Sequence, residues 1–287
     1  MREPVKIIRK IPEMQESSRR LHAAGETIGF VPTMGYLHEG HLSLVRAARA
    51  QAGAVVVSIF VNPSQFGPRE DFASYPRNLE RDAALLQGEG VDIVFHPEAS
   101  DVYPAGYRTY VEVQGLQDKL CGRTRPDHFR GVSTVVLKLF EIVRPDLAFF
   151  GQKDAQQAVI LKKMASDLNL DVRLEILPII REPDGLAMSS RNSYLSPVER
   201  KAAVVLSKSL ETAREEIDAG ERRPDIVLAG IRKLIEAEPL ARIDYIEAVE
   251  TENLDPVKVI SEGTLIALAV FIGKTRLIDN MIVRSQK

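Results

Sequence analysis

Two histidines three residues apart, His38 and His41, lie in the run Pro32-Thr33-Met34-Gly35-Tyr36-Leu37-His38-Glu39-Gly40-His41. The apolar stretch Ile28–Val31 precedes it, and Leu42, Val45, Ala48 and Arg49 follow at helical spacing. A histidine pair that opens a helix meets unpaired backbone N–H groups and the positive end of the helix dipole, which together make an anion site. Gly40 has no Cβ, so a phosphate or nucleobase can come close to the backbone. Either imidazole can donate a hydrogen bond to a phosphate oxygen or supply a proton. Zinc suits the run poorly: the spacing is not His-Glu-x-x-His on one helix face, and no third ligand stands out. No protein metal site is expected. An isolated His-x-x-His in a turn is equally compatible with having no role.

Three further segments place polar residues after apolar, strand-like runs. In Phe60-Val61-Asn62-Pro63-Ser64-Gln65-Phe66-Gly67, Gln65 can both donate and accept, as recognition of a hydroxy acid requires; alone it reads as a solvated loop residue. In Phe149-Phe150-Gly151-Gln152-Lys153-Asp154-Ala155-Gln156-Gln157, Lys153 stands where a strand passes into a helix, so a cation can meet a phosphate gathered by the helix N-terminus. Asp154 is placed to cap that helix, and Gln157 lies one turn in. The fourth segment is Asp184-Gly185-Leu186-Ala187-Met188-Ser189-Ser190-Arg191-Asn192. Its two hydroxyls and guanidinium suit a clamp on phosphates, although many surface loops look the same.

These segments need elements to hold them. In the first two-thirds of the chain, strand-like runs at Ile28–Val31, Ala54–Val61, Val91–Phe95, Leu147–Phe150 and Val172–Ile180 alternate with helical patterns at Asn78–Gln87, Val132–Val143 and Ala155–Leu168. Such alternation with short connections predicts a Rossmann-like parallel sheet wound by right-handed crossovers. Ligands bind such sheets beyond the carboxyl ends of the strands, where all four segments fall. After about Ile180 the pattern changes. Ser196-Pro197-Val198-Glu199 is a helix start from which one long helix runs to about Ala219, and a second helix covers Asp225–Glu236. Ile243–Val249, Leu265–Ile272 and Met281–Val283 read as strands of a separate small sheet. The expected division is an α/β domain over 1–180 and a smaller C-terminal α+β domain over 181–287 that covers the active site.

Bulk composition bounds the class. The 287 residues include 38 Lys and Arg against 40 Asp and Glu, a formal charge of −2, which argues against a broad nucleic-acid surface. The single cysteine, Cys121, excludes an intrachain disulfide and thiolate zinc. The longest apolar run, Leu265–Ile272, is far short of the roughly 20 residues a bilayer span needs. Met1–Lys10 contains no apolar segment of signal-peptide length, so the expected location is cytoplasmic.

The segments from Pro32 to Asn192, in order and together with His128-Phe129-Arg130-Gly131-Val132, closely resemble the pantoate–β-alanine ligase (pantothenate synthetase) family, nucleotidyltransferases with a His-x-Gly-His motif. The resemblance implies an ATP-dependent ligase of pantothenate and coenzyme A biosynthesis that joins (R)-pantoate to β-alanine through a pantoyl adenylate, releasing pyrophosphate and AMP. It implies that Met34, Gly35, Tyr36, Leu37, His38, Glu39, Gly40 and His41 hold ATP, with His41 as proton donor and His38 on the phosphates. Gly151, Gln152, Lys153, Asp154, Ile180, Met188, Ser189, Ser190 and Arg191 would complete the nucleotide pocket, with Lys153 neutralising transferred charge. Gln65 and Gln157 would grip pantoate, and Gln65 would also help seat β-alanine. Magnesium is implied with ATP, and a homodimer by resemblance only; Asp82 is not counted as a magnesium ligand. Gln152 stands where many relatives carry Glu, which removes one negative charge from the pocket.

Two other readings differ in class. A different adenylate-forming enzyme on the same fold, such as an aminoacyl-tRNA synthetase core, would need an anticodon-binding module and a basic face, which length and charge do not supply. A nucleotide-binding regulatory module without catalysis would not need His38, His41, Lys153, Ser189, Ser190 and Arg191 together. Arg125 and Arg130 flank His128, with helix-entry or surface roles as open as a role at the site. No role is assigned to His22, His96 or His128.

Overall fold

The computed structural model describes residues 5–68 and 70–284; the start of the N-terminal reading at Met1–Pro4 and the last three residues of the C-terminal domain lie outside them. The chain forms two compact units. One runs up to Asp118 and includes Gly122–Gln152 and Ile160–Pro178; the other comprises Lys119–Cys121, Lys153–Val159 and the chain from Ile179 on.

The first unit is built on a six-stranded sheet of β1 (Lys6–Ile8), β2 (Ile28–Thr33), β3 (Ala54–Ile59), β4 (Ile93–Phe95), β5 (Leu147–Gly151) and β6 (Arg173–Leu177), in the order β1-β4-β3-β2-β5-β6. Every pairing is parallel. All six residues of β3 are buried, as a strand covered on both faces requires. Successive crossovers from β2 lead through β3 to β4, whereas β5 and β6 lie on the other side of β2. The direction of winding therefore reverses between β2 and β5, the place where open α/β sheets form a ligand crevice. The helices are α1 (Ile11–Ala23), α2 (Glu39–Gln51), α3 (Leu79–Gly88), the single turn α4 (Ala99–Val102), α5 (His128–Val143) and, from Ile160 on, α6 (Ala155–Asp167). Val31, Val45, Val55, Val57, Leu86 and Phe149 form part of one core, each wholly shielded.

The second unit packs α7 (Pro197–Ala202), α8 (Val205–Asp218) and α9 (Pro224–Glu236) with an antiparallel sheet of β7 (Ala241–Val249), β8 (Leu265–Ile272) and β9 (Thr275–Ile282). The helix start at Ser196 has the expected capping box, with Ser196 Oγ accepting from Glu199 N and Glu199 closing back on Ser196 N. The single long helix expected from there is broken in two. Val204 N bonds Lys201 O and Leu206 N bonds Ala203 O, three-residue spacings that tighten the chain between α7 and α8. Segment 119–121 joins this unit through Lys119 Nζ, 2.6 Å from Asp255 Oδ1, and Cys121 Sγ, 3.2 Å from the Tyr245 hydroxyl.

Other boundaries also differ from the sequence reading. α5 starts at His128, a turn before Val132, following Asp127 in left-handed conformation (φ 65°). The helical run after β5 opens at Gln152 with a 3₁₀ turn, so Asp154 lies inside it and not at its cap. β9 extends from Thr275 to Ile282 instead of covering Met281–Val283, because Asp279 and Asn280 are buried polar residues within it. β1 and α1 are additional to the elements expected from sequence. Among the described residues no helix is long and apolar enough to cross a membrane.

Candidate active site

The turn between β2 and α2 fixes the histidine pair. Gly35 has φ +82°, and a Cβ there would lie 2.9 Å from the Ile59 side chain. Tyr36 follows with φ +51°, a conformation that costs a non-glycine residue roughly 1–2 kcal/mol. Asp82, from α3, holds it there: Oδ2 accepts from Tyr36 N at 2.6 Å and Oδ1 from Leu37 N at 2.9 Å. Arg81 donates to Asp82 and to Leu37 O, and its guanidinium lies 5.3 Å from the Tyr36 ring centre. Below the turn, Thr33 Oγ1 accepts from Gly35 N and donates to Ser58 O.

His38 caps α2 and His41 closes the first turn. Gly40 N donates to His38 Nδ1 at 3.2 Å, and His38 N donates to His41 Nδ1 at 3.3 Å. These backbone bonds assign the tautomers: with each Nδ1 an acceptor, the proton of each neutral ring sits on Nε2. The ring centres are 4.0 Å apart. Two Nε2–H donors are thus held side by side at a helix N-terminus. Glu39 is exposed and pairs with Arg46.

Beyond β3, Asn62 organises a second cluster. It is 1% exposed; its Nδ2 donates to Gln65 Oε1 at 3.0 Å and to Gly131 O at 3.1 Å. Its Oδ1 accepts from Ser64 N, Ser64 Oγ and the Tyr103 hydroxyl. Burial pushes the Tyr103 hydroxyl up to about 12, so it stays protonated and donates. Gln65 Nε2 lies 3.2 Å from Met34 Sδ, which joins this cluster to the turn after β2. His128 Nδ1 lies 2.8 Å from Gln65 O. Arg125 reaches His128 Nε2 and holds Glu70 through two 2.7 Å bonds. Burial works to raise the Glu70 carboxyl, but the Arg125 bonds and charge outweigh it and leave it below its ordinary range.

In the second unit, β9 supports two of the segments singled out from sequence. Asn280 Nδ2 donates to Lys153 O at 3.0 Å. Asp279, 2% exposed, receives Arg181 through two bonds of 2.7 and 2.9 Å, and Arg181 also donates to Gly185 O. The tight hairpin thus fixed, with Met188 N bonded to Ile180 O, leads into the 3₁₀ turn Ser190–Tyr194. Ser189 Oγ caps that turn by accepting from Arg191 N, and Ser190 is buried. Gln156 is buried as well; it donates to Lys119 O and accepts from Cys121 N.

The first unit therefore contains Met34 to His41, Gln65, Gly151 and Gln152, and brings Gln65 against Met34. Lys153, Asp154, Gln157, Ile180 and Met188 to Arg191 belong to the second unit. Arg130 turns to the surface, 4.9 Å from the Tyr110 ring centre and paired with Asp127. His22 pairs with Asp146, and His96 Nδ1 lies 2.6 Å from Ile59 O. Sequence reading missed Asp82, Asn62, Asp279 and Asn280 as positioning residues, because each has a partner distant in sequence: Tyr36 and Leu37, Gly131, Arg181 and Lys153 respectively. Among the described residues no group of three or more His, Cys, Asp or Glu side chains is arranged to hold a metal ion, and both Asp82 oxygens are committed.

A family model for pantoate-beta-alanine ligase matches residues 6–282. The chain belongs to the pantoate–β-alanine ligase family. It is a ligase enzyme with the function of that family. Pantothenate synthetase of Heliobacterium modesticaldum is 58% identical over 279 residues, 97% of this chain and 99% of the relative; that of Thermosipho africanus is 56% identical over 97% and 100%. A crystal structure of pantothenate synthetase from Thermus thermophilus superposes with a TM-score of 0.94 at 44% identity, covering 98% of this chain and 100% of that one. A pantoate–β-alanine ligase from Francisella tularensis, described as complexed with beta-gamma ATP and β-alanine, superposes with a TM-score of 0.81 at 33% identity, covering 97% of each.

Proposed function

We propose that this ligase makes pantothenate in two displacements. A carboxylate oxygen of (R)-pantoate attacks the α-phosphorus of ATP; the new O–P bond replaces the bond to pyrophosphate, which leaves. The β-alanine nitrogen then attacks the acyl carbon of pantoyl adenylate, breaks its bond to AMP and gives up a proton. The first step gathers negative charge toward the departing pyrophosphate and offers little covalent help, so catalysis rests on position and charge.

The observation that supports this reading best is the crossed bonding of His38 and His41. With both Nδ1 atoms held by backbone amides, two Nε2–H donors sit at a helix N-terminus, suited to phosphate oxygens. In this reading His41 is the proton donor and His38 a phosphate ligand. Met34 to Gly40, Gly151 to Asp154, Ile180 and Met188 to Arg191 contribute to the ATP site; Lys153 and Arg191 supply positive charge. Gln65 and Gln157 grip pantoate, and Gln65 helps seat β-alanine. The cleanly bonded Asn62–Gln65 pair supports this, since Asn62 takes Gln65 Oε1 and fixes which amide atom is which. Magnesium would come with ATP, held by phosphate oxygens and water more than by protein side chains, and would supply positive charge to the phosphates. A cytoplasmic homodimer belongs to the same reading.

The test is ATP–pyrophosphate exchange. Exchange should require pantoate and proceed without β-alanine, and adding β-alanine should yield pantothenate and AMP. Exchange independent of pantoate, or absent from folded protein, contradicts the proposal.

A further inference from the structure

The histidine within the His-Phe-Arg-Gly run carries no role in the reaction as set out above, yet both its ring nitrogens are committed. A carbonyl only accepts, so the 2.8 Å contact between His128 Nδ1 and Gln65 O places the ring proton on Nδ1. Nε2 is then an acceptor, and Arg125 Nη1 donates to it at 3.0 Å. Arg125 is itself gripped by Glu70 and is 14% exposed. The Glu70–Arg125–His128 chain fixes ring plane and tautomer together, the arrangement by which an outer residue orients an inner one.

The turn it holds is under close contact from the same helix. A Cβ on Gly131 would come within 2.3 Å of Ser64 O and 2.8 Å of Gln65 Cα, so the first turn of α5 lies directly against residues 64 and 65. Asn62 bridges Gln65 Oε1 and Gly131 O. The side chain of Gln65 is thus set by Asn62, while its backbone is set by His128. The Arg125 Nη2 contact with the same carbonyl is longer, 3.5 Å.

We propose that His128 is a positioning residue for Gln65: its Nδ1–H fixes the Gln65 peptide plane and so the reach of the Gln65 amide toward pantoate. The inference rests on the reading that Gln65 grips pantoate. A displacement of about 1 Å in such a group costs on the order of a hundredfold in rate.

Asparagine and glutamine separate the two ring nitrogens. In His128→Asn the amide nitrogen replaces Nδ1 and can still donate to Gln65 O; in His128→Gln it reaches the Nε2 position and leaves the carbonyl without that donor. Pantoate-dependent kinetics should show kcat/KM for pantoate lowered by about 10- to 100-fold in His128→Gln, with the KM for ATP unmoved and with activity largely restored in His128→Asn at matched Tm. In a Gln65→Ala background, His128→Gln should add no further loss. NMR of nitrogen-labelled histidine should find His128 as the Nδ1–H tautomer, opposite to His38 and His41. Wild-type pantoate kinetics in His128→Gln, equal losses in the two variants, or an Nε2–H tautomer for His128 would overturn the proposal. Unchanged pantoate kinetics in Gln65→Ala would instead sink the assignment of Gln65, and the purpose given to His128 with it.

Discussion

Replacing Asp82 by Asn changes one oxygen to an NH₂ and little else, and it tests how the turn at Tyr36 is held. Asp82 is 1% exposed and accepts from two consecutive amides at 2.6 and 2.9 Å. Asparagine can accept from one of them; its own NH₂ then faces the other. One charge-assisted bond, worth about 1.5–3 kcal/mol, is lost and the remaining one is weakened, for a total of about 2–4 kcal/mol. The two amide bonds to Asp82 are what the backbone at Tyr36 gains at its φ of +51°, so with them weakened the turn relaxes and the placement of His38 goes with it. Expressed wholly in the ATP-dependent step, 2–4 kcal/mol corresponds to roughly 30- to 1,000-fold in kcat/KM for ATP. Charge alone argues the other way, since removing a carboxylate beside the proposed phosphate site should tighten ATP. Steady-state kinetics with varied ATP, alongside circular dichroism to check the fold, distinguish the two by sign. An unchanged or improved kcat/KM for ATP in folded Asp82→Asn would refute the anchoring role.

Other perturbations have equally defined outcomes. His41→Ala should lower turnover by about 10²–10⁴-fold, the range for a lost acid–base or charge-stabilising group, with pantoate KM little changed; turnover measured at saturating substrates checks it. Asn280→Leu removes the donor to Lys153 O and should lower the rate of pyrophosphate exchange more than it lowers Tm; equal exchange rates would mean the contact is dispensable. Tyr103→Phe should cost about 1 kcal/mol in urea unfolding at neutral pH, as a lost buried hydrogen bond does. Because the folded pKa is raised, from about 10 to about 12, that stability is fully present below the ordinary tyrosine range. It is lost as pH rises toward the folded value, and because the shift outweighs about 1 kcal/mol, the gap between wild type and Tyr103→Phe should close and then reverse in alkali.

The parallel sheet was legible because its strands are buried on both faces and read as continuous apolar runs, as in Ala54–Ile59. The histidine pair was legible because cap, glycine and helix start all fall within one short segment. Of β9 only the end at Met281 and Ile282 was, and the reason is chemical. Asp279 and Asn280 interrupt its apolar pattern, and they do so because they reach out to Arg181 and the Lys153 carbonyl. The anchoring role of Asp82 was invisible for a related reason: in sequence it is one more acidic residue on a polar helix face, and only the fold brings it under Tyr36 and Leu37. The division of α7 from α8 was hidden in a run of good helix formers, where a local change of hydrogen-bond spacing leaves no compositional mark. Arg125 and His128 could be seen but not assigned, since the carbonyl they converge on belongs to a residue some sixty positions earlier.

The central claim is that the pantoate carboxylate itself attacks the α-phosphorus. Pantoate labelled with heavy oxygen in its carboxylate tests it directly, with AMP, pyrophosphate and pantothenate analysed by mass spectrometry after complete turnover. The account predicts that one labelled oxygen passes from pantoate to AMP and that pyrophosphate carries none. Label in pyrophosphate or in inorganic phosphate, with unlabelled AMP, would contradict it.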